Sequence, residues 1–265
     1  MMDKIIIGRY VPGSSIVHQL DPRSKLSLIF LYVIVVFLAN NELTYGILCL
    51  YTVGMMLLTR IPIRFILKGL KLIFWIIIFT FILHIFVTKE GALLFSLGWI
   101  EIYEEGIRQG VFISLRFLNL ILMTSMLTLT TTPIEITDGM ESLLNPFKRF
   151  GLPVHEIALM MSISLRFIPT LMQETEKIIK AQTARGADFT SGPIKDRIKS
   201  IVPLLIPLFI SAFKRAEDLA TAMEARGYRG GEGRTKFHQL QWHSRDTIVI
   251  ISPLLVSVLL FLLRS

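Results

Sequence analysis

The chain alternates long apolar runs with short polar segments over its first half, and one further apolar run ends it. A helix of roughly 20 apolar residues is long enough to cross the roughly 30 Å hydrocarbon layer of a membrane. The first two runs are shorter, and only Asn40-Asn41-Glu42 separates them, which predicts a tight membrane hairpin. The pattern therefore predicts an all-α integral membrane protein with about five transmembrane helices, at residues 26–39, 43–59, 70–88, 110–131 and 247–263.

Residues 132–245 follow a different pattern, in which apolar stretches continue directly into charged amphipathic sequence. The stretches 157–172 and 201–213 are apolar, but Arg166 divides the first and two prolines interrupt the second. We therefore expect two long helices whose apolar halves lie along the membrane face. Their charged ends would project into the cytosol and form a helical cytoplasmic domain.

The charges of the connecting segments predict the orientation, because lysine and arginine favour the cytoplasmic side. The segment 60–69 contains three cationic residues and no acid, whereas the segment 89–109 contains four glutamates against two cations. The first is therefore expected inside and the second outside. The predicted organisation is an N-terminal cytoplasmic segment with four transmembrane helices (1–131), a cytoplasmic domain (132–245) and a C-terminal transmembrane helix (246–265) that ends outside.

A short sequence recurs at an offset of 41 residues: residues 181–186 read AQTARG and residues 222–227 read AMEARG. In each copy a helix-favouring run ends at glycine, which tolerates the left-handed turn beyond a helix end. The preceding arginine, Arg185 or Arg226, lies near the negative end of the helix dipole. One copy is typical of an ordinary helix stop. Two matched copies predict two equivalent contacts with a partner of two-fold symmetry.

Composition supports a membrane protein and excludes several other classes. The chain has 265 residues, of which 52% are hydrophobic, and a mean hydropathy of +0.61. Basic residues that flank apolar spans explain the net charge of +8, and no nucleic-acid-reading motif accompanies it. The single cysteine, Cys49, excludes an intrachain disulfide.

No catalytic, nucleotide-binding or metal-binding motif occurs in the sequence, so we expect no enzyme activity, no metal and no cofactor. Arg116 lies inside the predicted fourth span and is interpreted as part of a structural pair. The spans offer few converging polar groups, so the chain alone is not expected to bind a polar solute. The histidines are scattered along the chain: His18, His84, His155, His238 and His243.

Three stretches resemble the transmembrane T component of energy-coupling factor transporters, the EcfT/CbiQ family. They are the sequence DPRSKL at 21–26, the sequence NPFKRFGLP at 145–153, and the paired Ala-Arg-Gly sequences. The first also predicts a helix start, because Asp21 suits the N-cap and Pro22 the first helical position. The resemblance extends over essentially the whole chain. It implies a non-catalytic scaffold subunit of a micronutrient importer in the cell membrane of a prokaryote.

The resemblance also implies partners and contact residues. Two cytoplasmic ABC-type ATPases, which we expect to form a heterodimer, would hydrolyse ATP, and a separate membrane protein, the S component, would capture a vitamin or a transition-metal ion. The apolar faces of the two coupling helices, with Met160, Met161 and Met172, would form a platform for the S component. Each helix would insert its tip into a groove of one ATPase; by position the docking residues are Ala184, Arg185 and Gly186, and Ala225, Arg226 and Gly227.

Two alternative functions are considered. The first is a substrate-binding permease subunit of a conventional ABC importer, which would bind solute directly. The second is an intramembrane enzyme acting on lipid-linked substrates, with Arg116 or His84 near its site. The absence of an acid/base cluster in the sequence argues against the enzyme.

Overall fold

The structure is a computed structural model that describes residues 10–97, 100–187, 194–230 and 239–264. These residues are predominantly helical, which confirms the predicted all-α fold, and one short antiparallel hairpin is added to it. In chain order the elements are α1 Pro22–Val36, α2 Glu42–Thr59, α3 Ile63–Val87, β1 Leu93–Leu97, β2 Ile100–Tyr103, α4 Glu104–Thr130, α5 Pro133–Leu144, a 3₁₀ helix Asn145–Phe150, α6 Val154–Ala184, α7 Ile194–Ala225 and α8 Ser244–Leu262.

The chain divides into two compact units. The first contains α1 to α5, the hairpin and α8, and the second contains the 3₁₀ helix, α6 and α7. Helix α5 belongs to the first unit because Gly139 packs closely on α1. A Cβ at Gly139 would lie 3.1 Å from Pro22 Cβ and 3.1 Å from Leu26 Cδ1. The second unit thus begins at residue 144, whereas the predicted cytoplasmic segment begins at residue 132.

Among the described residues, α2, α4, α6 and α8 are each long and apolar enough to cross a membrane. Helix α3 makes a fifth span if its segments Ile63–Lys71 and Ile73–Val87, which meet at a 54° bend, count as one. The total of up to five agrees with the predicted number, but the helices are not the same, because α6 is included and α1 is not. Helix α1 has 15 residues, which is about 22 Å at 1.5 Å per residue. Helix α6 qualifies by length and composition, although its apolar half was expected along the membrane face.

Helix α1 packs against α4 and α8 in the first unit. Its residues Leu28, Tyr32 and Val36 are fully buried. The Tyr32 hydroxyl hydrogen-bonds Thr52 of α2, so polar as well as apolar contacts hold the helix. Hydrogen bonds between helices are a main source of association in membranes, where apolar side chains gain little by leaving lipid.

Two glycines bring α3 and α4 close together at one end. A Cβ at Gly106 would lie 3.1 Å from Thr88 O, and one at Gly110 would lie 3.0 Å from the Phe81 ring. Glycines four residues apart lie on one face of a helix and let two helix backbones approach. The sequence GIRQG therefore determines where the two helices meet.

The segment 89–109, which was expected to be a connection outside the membrane, contains the β1–β2 hairpin. The strands pair from Leu93 with Tyr103 to Leu97 with Ile100, with a register shift between Leu93 and Phe95. Helix α4 then begins at Glu104, earlier than the predicted residue 110. Acidic residues in the first turn are stabilised by the helix dipole, so the glutamates extend the helix beyond its apolar run.

Candidate functional site

The first Ala-Arg-Gly sequence forms the end of α6. Arg185 is the C-cap residue, and Gly186 follows it with a φ of +88°. The Gly186 N–H donates to Thr183 O at 3.0 Å, and the Ala187 N–H donates to Gln182 O at 3.0 Å. These two bonds make a Schellman motif, which satisfies the last carbonyls of the helix and requires a left-handed residue.

The second sequence forms the end of α7 in the same way. Arg226 follows the last helical residue, and Gly227 has a φ of +72°. The Gly227 N–H donates to Glu224 O at 2.8 Å, and the Tyr228 N–H donates to Met223 O at 3.0 Å. The sequence repeat therefore produces the same helix end twice, and we call these two ends the arginine tips.

Both arginine tips are open to partners. The side chains of Arg185 and Arg226 are exposed and form no hydrogen bond or ion pair with any residue that the structure describes. A Cβ at Gly186 or Gly227 would meet nothing within 4 Å, so glycine is required by the backbone conformation and not by lack of space. Each tip thus presents a permanently charged group with five hydrogen-bond donors at the end of a helix.

Helices α6 and α7 contact each other at positions that the repeat makes equivalent. Glu174 forms an ion pair with Arg215, and Ser211 Oγ donates to Glu174 at 2.8 Å. Glu174 and Arg215 are 41 residues apart, the offset that also separates the two arginine tips. The ion pair therefore joins α6 and α7 at equivalent positions of the repeat.

A second contact shows that α6 and α7 run antiparallel. Tyr228, just beyond α7, hydrogen-bonds His155 at the start of α6, with 3.4 Å between the Tyr228 hydroxyl and His155 Nε2. Arg185 lies 11 residues after Glu174, and Arg226 lies 11 residues after Arg215. Eleven residues correspond to about 16 Å along a helix. The arginine tips therefore point in opposite directions, separated by about 30 Å along the helix pair.

On the N-terminal side of the Glu174–Arg215 pair, α6 and α7 carry exposed apolar side chains. On α7, Phe209, Ile210 and Phe213 are 61–71% exposed, and on α6 Met160 is 59% exposed. Met161 and Met172 are half-buried, so Met160 is the most accessible of the three methionines expected to form a platform. A broad exposed apolar surface is typical of a site that contacts a partner or a membrane.

A buried carboxylate that sequence analysis did not identify joins the starts of α1 and α8. Asp246 is 1% exposed, and it accepts hydrogen bonds from the Asp21 N–H, Ser24 Oγ and the His243 N–H, each at 2.8 Å. The helix start predicted at Asp21 is confirmed. Its partner was missed because Asp246 lies 225 residues away along the chain.

Arg23 and Lys25 complete this connection. The Arg23 guanidinium forms an ion pair with Asp21 at 2.8 Å and lies over the Trp242 ring, 5.5 Å from its centroid. Lys25 Nζ, on a 1% exposed residue, donates to Thr130 O at 3.1 Å. A cation is favoured there because Thr130 ends α4, where the helix dipole is negative. The DPRSK stretch thus joins the ends of three helices.

Arg116 is held by neighbouring helices in the way expected of a structural group. Its Nη2 donates to the Tyr45 hydroxyl at 2.9 Å, and its guanidinium lies 5.1 Å from the centroid of the Phe37 ring. In the described part of the chain no three His, Cys, Asp or Glu side chains are grouped so that they could hold a metal ion. His238 lies outside the described residues.

Comparison with known proteins shows similarity over the length of the chain. Residues 13–237 match the model of the CbiQ family, described as cobalt transport protein. The chain is 66% identical over 265 residues to the energy-coupling factor transporter transmembrane protein EcfT of Bacillus subtilis strain 168, with all of both chains covered. Proteins of the same name from Listeria innocua (57% over 265 residues) and Streptococcus thermophilus (51% over 264 residues) are also covered completely.

Proposed function

Because the chain belongs to the CbiQ/EcfT family of transmembrane components of energy-coupling factor transporters, we propose that it couples two cytoplasmic ABC-type ATPases to a separate S component. It is not itself the catalyst, since ATP is hydrolysed on the ATPase subunits. The S component binds a vitamin or another micronutrient for import. The subunit lies in the plasma membrane of a prokaryote, with its N-terminus and the arginine tips in the cytoplasm and its C-terminus outside.

The duplicated arginine tip is the observation that carries this proposal. Two exposed helix ends with the same backbone geometry each lie 11 residues beyond the Glu174–Arg215 pair. ATPases of the ABC type work as dimers, so each subunit would offer one groove to one tip. The docking residues are Ala184, Arg185 and Gly186 on one tip, and Ala225, Arg226 and Gly227 on the other.

Each arginine would pair with acidic groups in its groove. Arginine suits this role because its planar guanidinium donates two parallel hydrogen bonds to one carboxylate. Removing one partner of a buried pair of this kind typically costs about 3–5 kcal/mol, because the other charge is left buried and unpaired. Loss of either arginine would therefore strongly weaken the association between the subunit and its ATPases.

Closure of the ATPase dimer would then move the two tips relative to each other. Helices α6 and α7 are joined at the Glu174–Arg215 pair, so a displacement of either tip is transmitted through the crossing point. Beyond that point lie the exposed apolar side chains, Met160 and Phe209 among them. We propose that this apolar surface contacts the S component and that coupling is a rigid-body movement of packed helices.

The test is reversal of both tip charges. The variant Arg185→Glu with Arg226→Glu should insert into the membrane normally but lose co-purification with the ATPase subunits and lose transport. The matched control, Lys177→Glu with Lys214→Glu, reverses two exposed lysines on the same helices. It should retain both ATPase co-purification and transport. Membrane insertion is checked by the yield and melting temperature of the purified chain.

Unchanged ATPase co-purification by the tip variant would contradict the proposal. Direct binding of solute by the isolated chain would instead favour the substrate-binding permease of a conventional ABC importer. Equilibrium dialysis against labelled micronutrients, with and without the S component, separates these two functions.

A further inference from the structure

Helices α3 and α4 meet at one end and leave a groove at the other. Gly106 and Gly110 hold α4 against the C-terminal part of α3. The N-terminal part of α3 and the C-terminal half of α4 enclose a groove of about 320 Å³. That volume lies within the roughly 300–1,000 Å³ of small-molecule sites. The groove is lined by Phe65, Ile66 and Ile73 of α3 and by Leu120, Ile121 and Leu129 of α4.

The groove is predominantly apolar, and its hydroxyl side chains are those of Thr124, Ser125 and Thr128 on α4. Thr124 Oγ1 donates to Leu120 O at 2.8 Å, and Thr128 Oγ1 donates to Thr124 O at 3.1 Å. Both threonines use their donors within α4, so they do not direct a polar ligand into the groove. The occupant that fits such a wall is a hydrocarbon chain.

Helix α3 is also in a position to contact lipid. Phe74, Trp75 and Phe79 are 59–69% exposed, and α3 with α4 belongs to the apolar helices that can cross a membrane. Aromatic side chains exposed on such a helix contact acyl chains and headgroups. The groove therefore lies on a helix pair that can contact lipid chains.

Two arginines immediately precede the groove-lining part of α3 along the chain. Arg64 immediately precedes the lining residue Phe65, and Arg60 lies between α2 and α3. Both side chains are exposed, and neither forms an ion pair with any residue in the described part of the chain. The sequence contains no Asp or Glu between Glu42 and Glu90 that could neutralise them.

Arg60 also adopts an unusual backbone conformation. Its φ is +54°, and it is the only non-glycine residue with a positive φ among the described residues. Glycine takes this conformation without strain and is the usual residue after a helix end. Arginine thus occupies position 60 although the left-handed backbone there favours glycine.

We propose that the α3–α4 groove binds one acyl chain of an anionic phospholipid whose phosphate is held by Arg60 and Arg64. Guanidinium groups bind phosphate through parallel hydrogen bonds, and anionic lipids are concentrated in the cytoplasmic leaflet, where this segment is expected. A membrane protein partner would cover the apolar wall but would leave the two cations without anions. The proposal does not depend on the ATPases or on the S component.

Native mass spectrometry of the full-length chain tests the proposal. The protein is purified in mixed micelles that contain equal amounts of dioleoylphosphatidylglycerol and dioleoylphosphatidylcholine, and retained lipids are counted. We expect one retained phosphatidylglycerol. Arg64→Gln should lower its preference over phosphatidylcholine by roughly fivefold, the effect of one cation near an anionic lipid surface.

Two further variants separate binding from folding. Arg60→Gly removes a cation while it relieves the left-handed backbone, so it should lower lipid preference without lowering the melting temperature. Thr124→Trp fills the groove and should abolish the retained lipid, whereas Phe117→Trp, on α4 outside the groove, should keep it. Equal retention of the two lipids by the unsubstituted chain, or a lipid still retained by Thr124→Trp, would overturn the proposal.

Discussion

The left-handed glycines at the two arginine tips allow the docking geometry to be tested without removing a charge. Gly186 and Gly227 have φ values of +88° and +72°, and an added Cβ would meet nothing within 4 Å. Substitution by alanine therefore introduces only the backbone penalty of the left-handed region, about 1–2 kcal/mol. Both tips are exposed, so the expected response is that the helix end changes conformation while the rest of the fold remains.

The penalty translates into a loss of affinity. A cost of about 1–2 kcal/mol lowers the population of the docking-competent tip by roughly 5- to 30-fold, and the apparent dissociation constant for the ATPases rises by the same factor. Gly186→Ala and Gly227→Ala should each show this effect. The tips are about 30 Å apart, so the two effects should add in free energy and together weaken binding by about 25-fold or more.

The assay is titration of the detergent-purified chain with its ATPase subunits, with the melting temperature recorded for each variant. Asparagine tolerates the left-handed conformation better than alanine, so Gly186→Asn should bind more tightly than Gly186→Ala. The control is Gly54→Ala, because Gly54 lies inside α2 with nothing within 4 Å and alanine is the better helix former there. Binding by the double alanine variant at unchanged affinity would refute the inference that the capped tips are the docking elements.

Two other contacts give independent predictions. Glu174→Arg or Arg215→Glu alone should weaken coupled transport by placing like charges at the crossing of α6 and α7, and the swapped pair should restore it; failure of the swap would mean that the pair does not hold the crossing. Asp246→Ala leaves three hydrogen-bond donors without their acceptor and should destabilise the first unit by about 3 kcal/mol or more, at about 1–3 kcal/mol for each buried donor. Thermal unfolding measures this loss against the exposed neighbour Arg245→Ala, which should change stability by less than about 0.5 kcal/mol.

The arginine tips could be predicted from sequence because the information that forms them is local. A Schellman end needs a few helix-favouring residues and one glycine, and both copies contain them within six residues. The same offset of 41 residues also relates Glu174 to Arg215, but a repeat reveals equivalence and not contact. Only the antiparallel packing of α6 and α7 shows that these two positions face each other.

Features that depend on distant residues were not predicted. Asp246 looks like an ordinary acid at the start of an apolar run, and its three donors come together only when α1 and α8 pack side by side. The apolar content of α1 predicted a membrane span, and its 15 residues form a short helix with one buried face, while Phe30 and Ile34 on another face are exposed. The β1–β2 hairpin has strands of only five and four residues, too short for a periodic signal.

The two arginine tips are alike but their surroundings are not, and this difference bears on the partner. Tyr228 beside the second tip hydrogen-bonds His155, whereas the equivalent position beside the first tip is Ala187, which has no side chain that could reach so far. The second tip is thus attached to the start of α6, and the first is not attached in this way. A partner with two identical grooves would gain nothing from the difference. A heterodimer of ATPases, the partner proposed for this subunit, could use it, because equal arginine contacts with unequal surroundings would favour one of its two possible orientations.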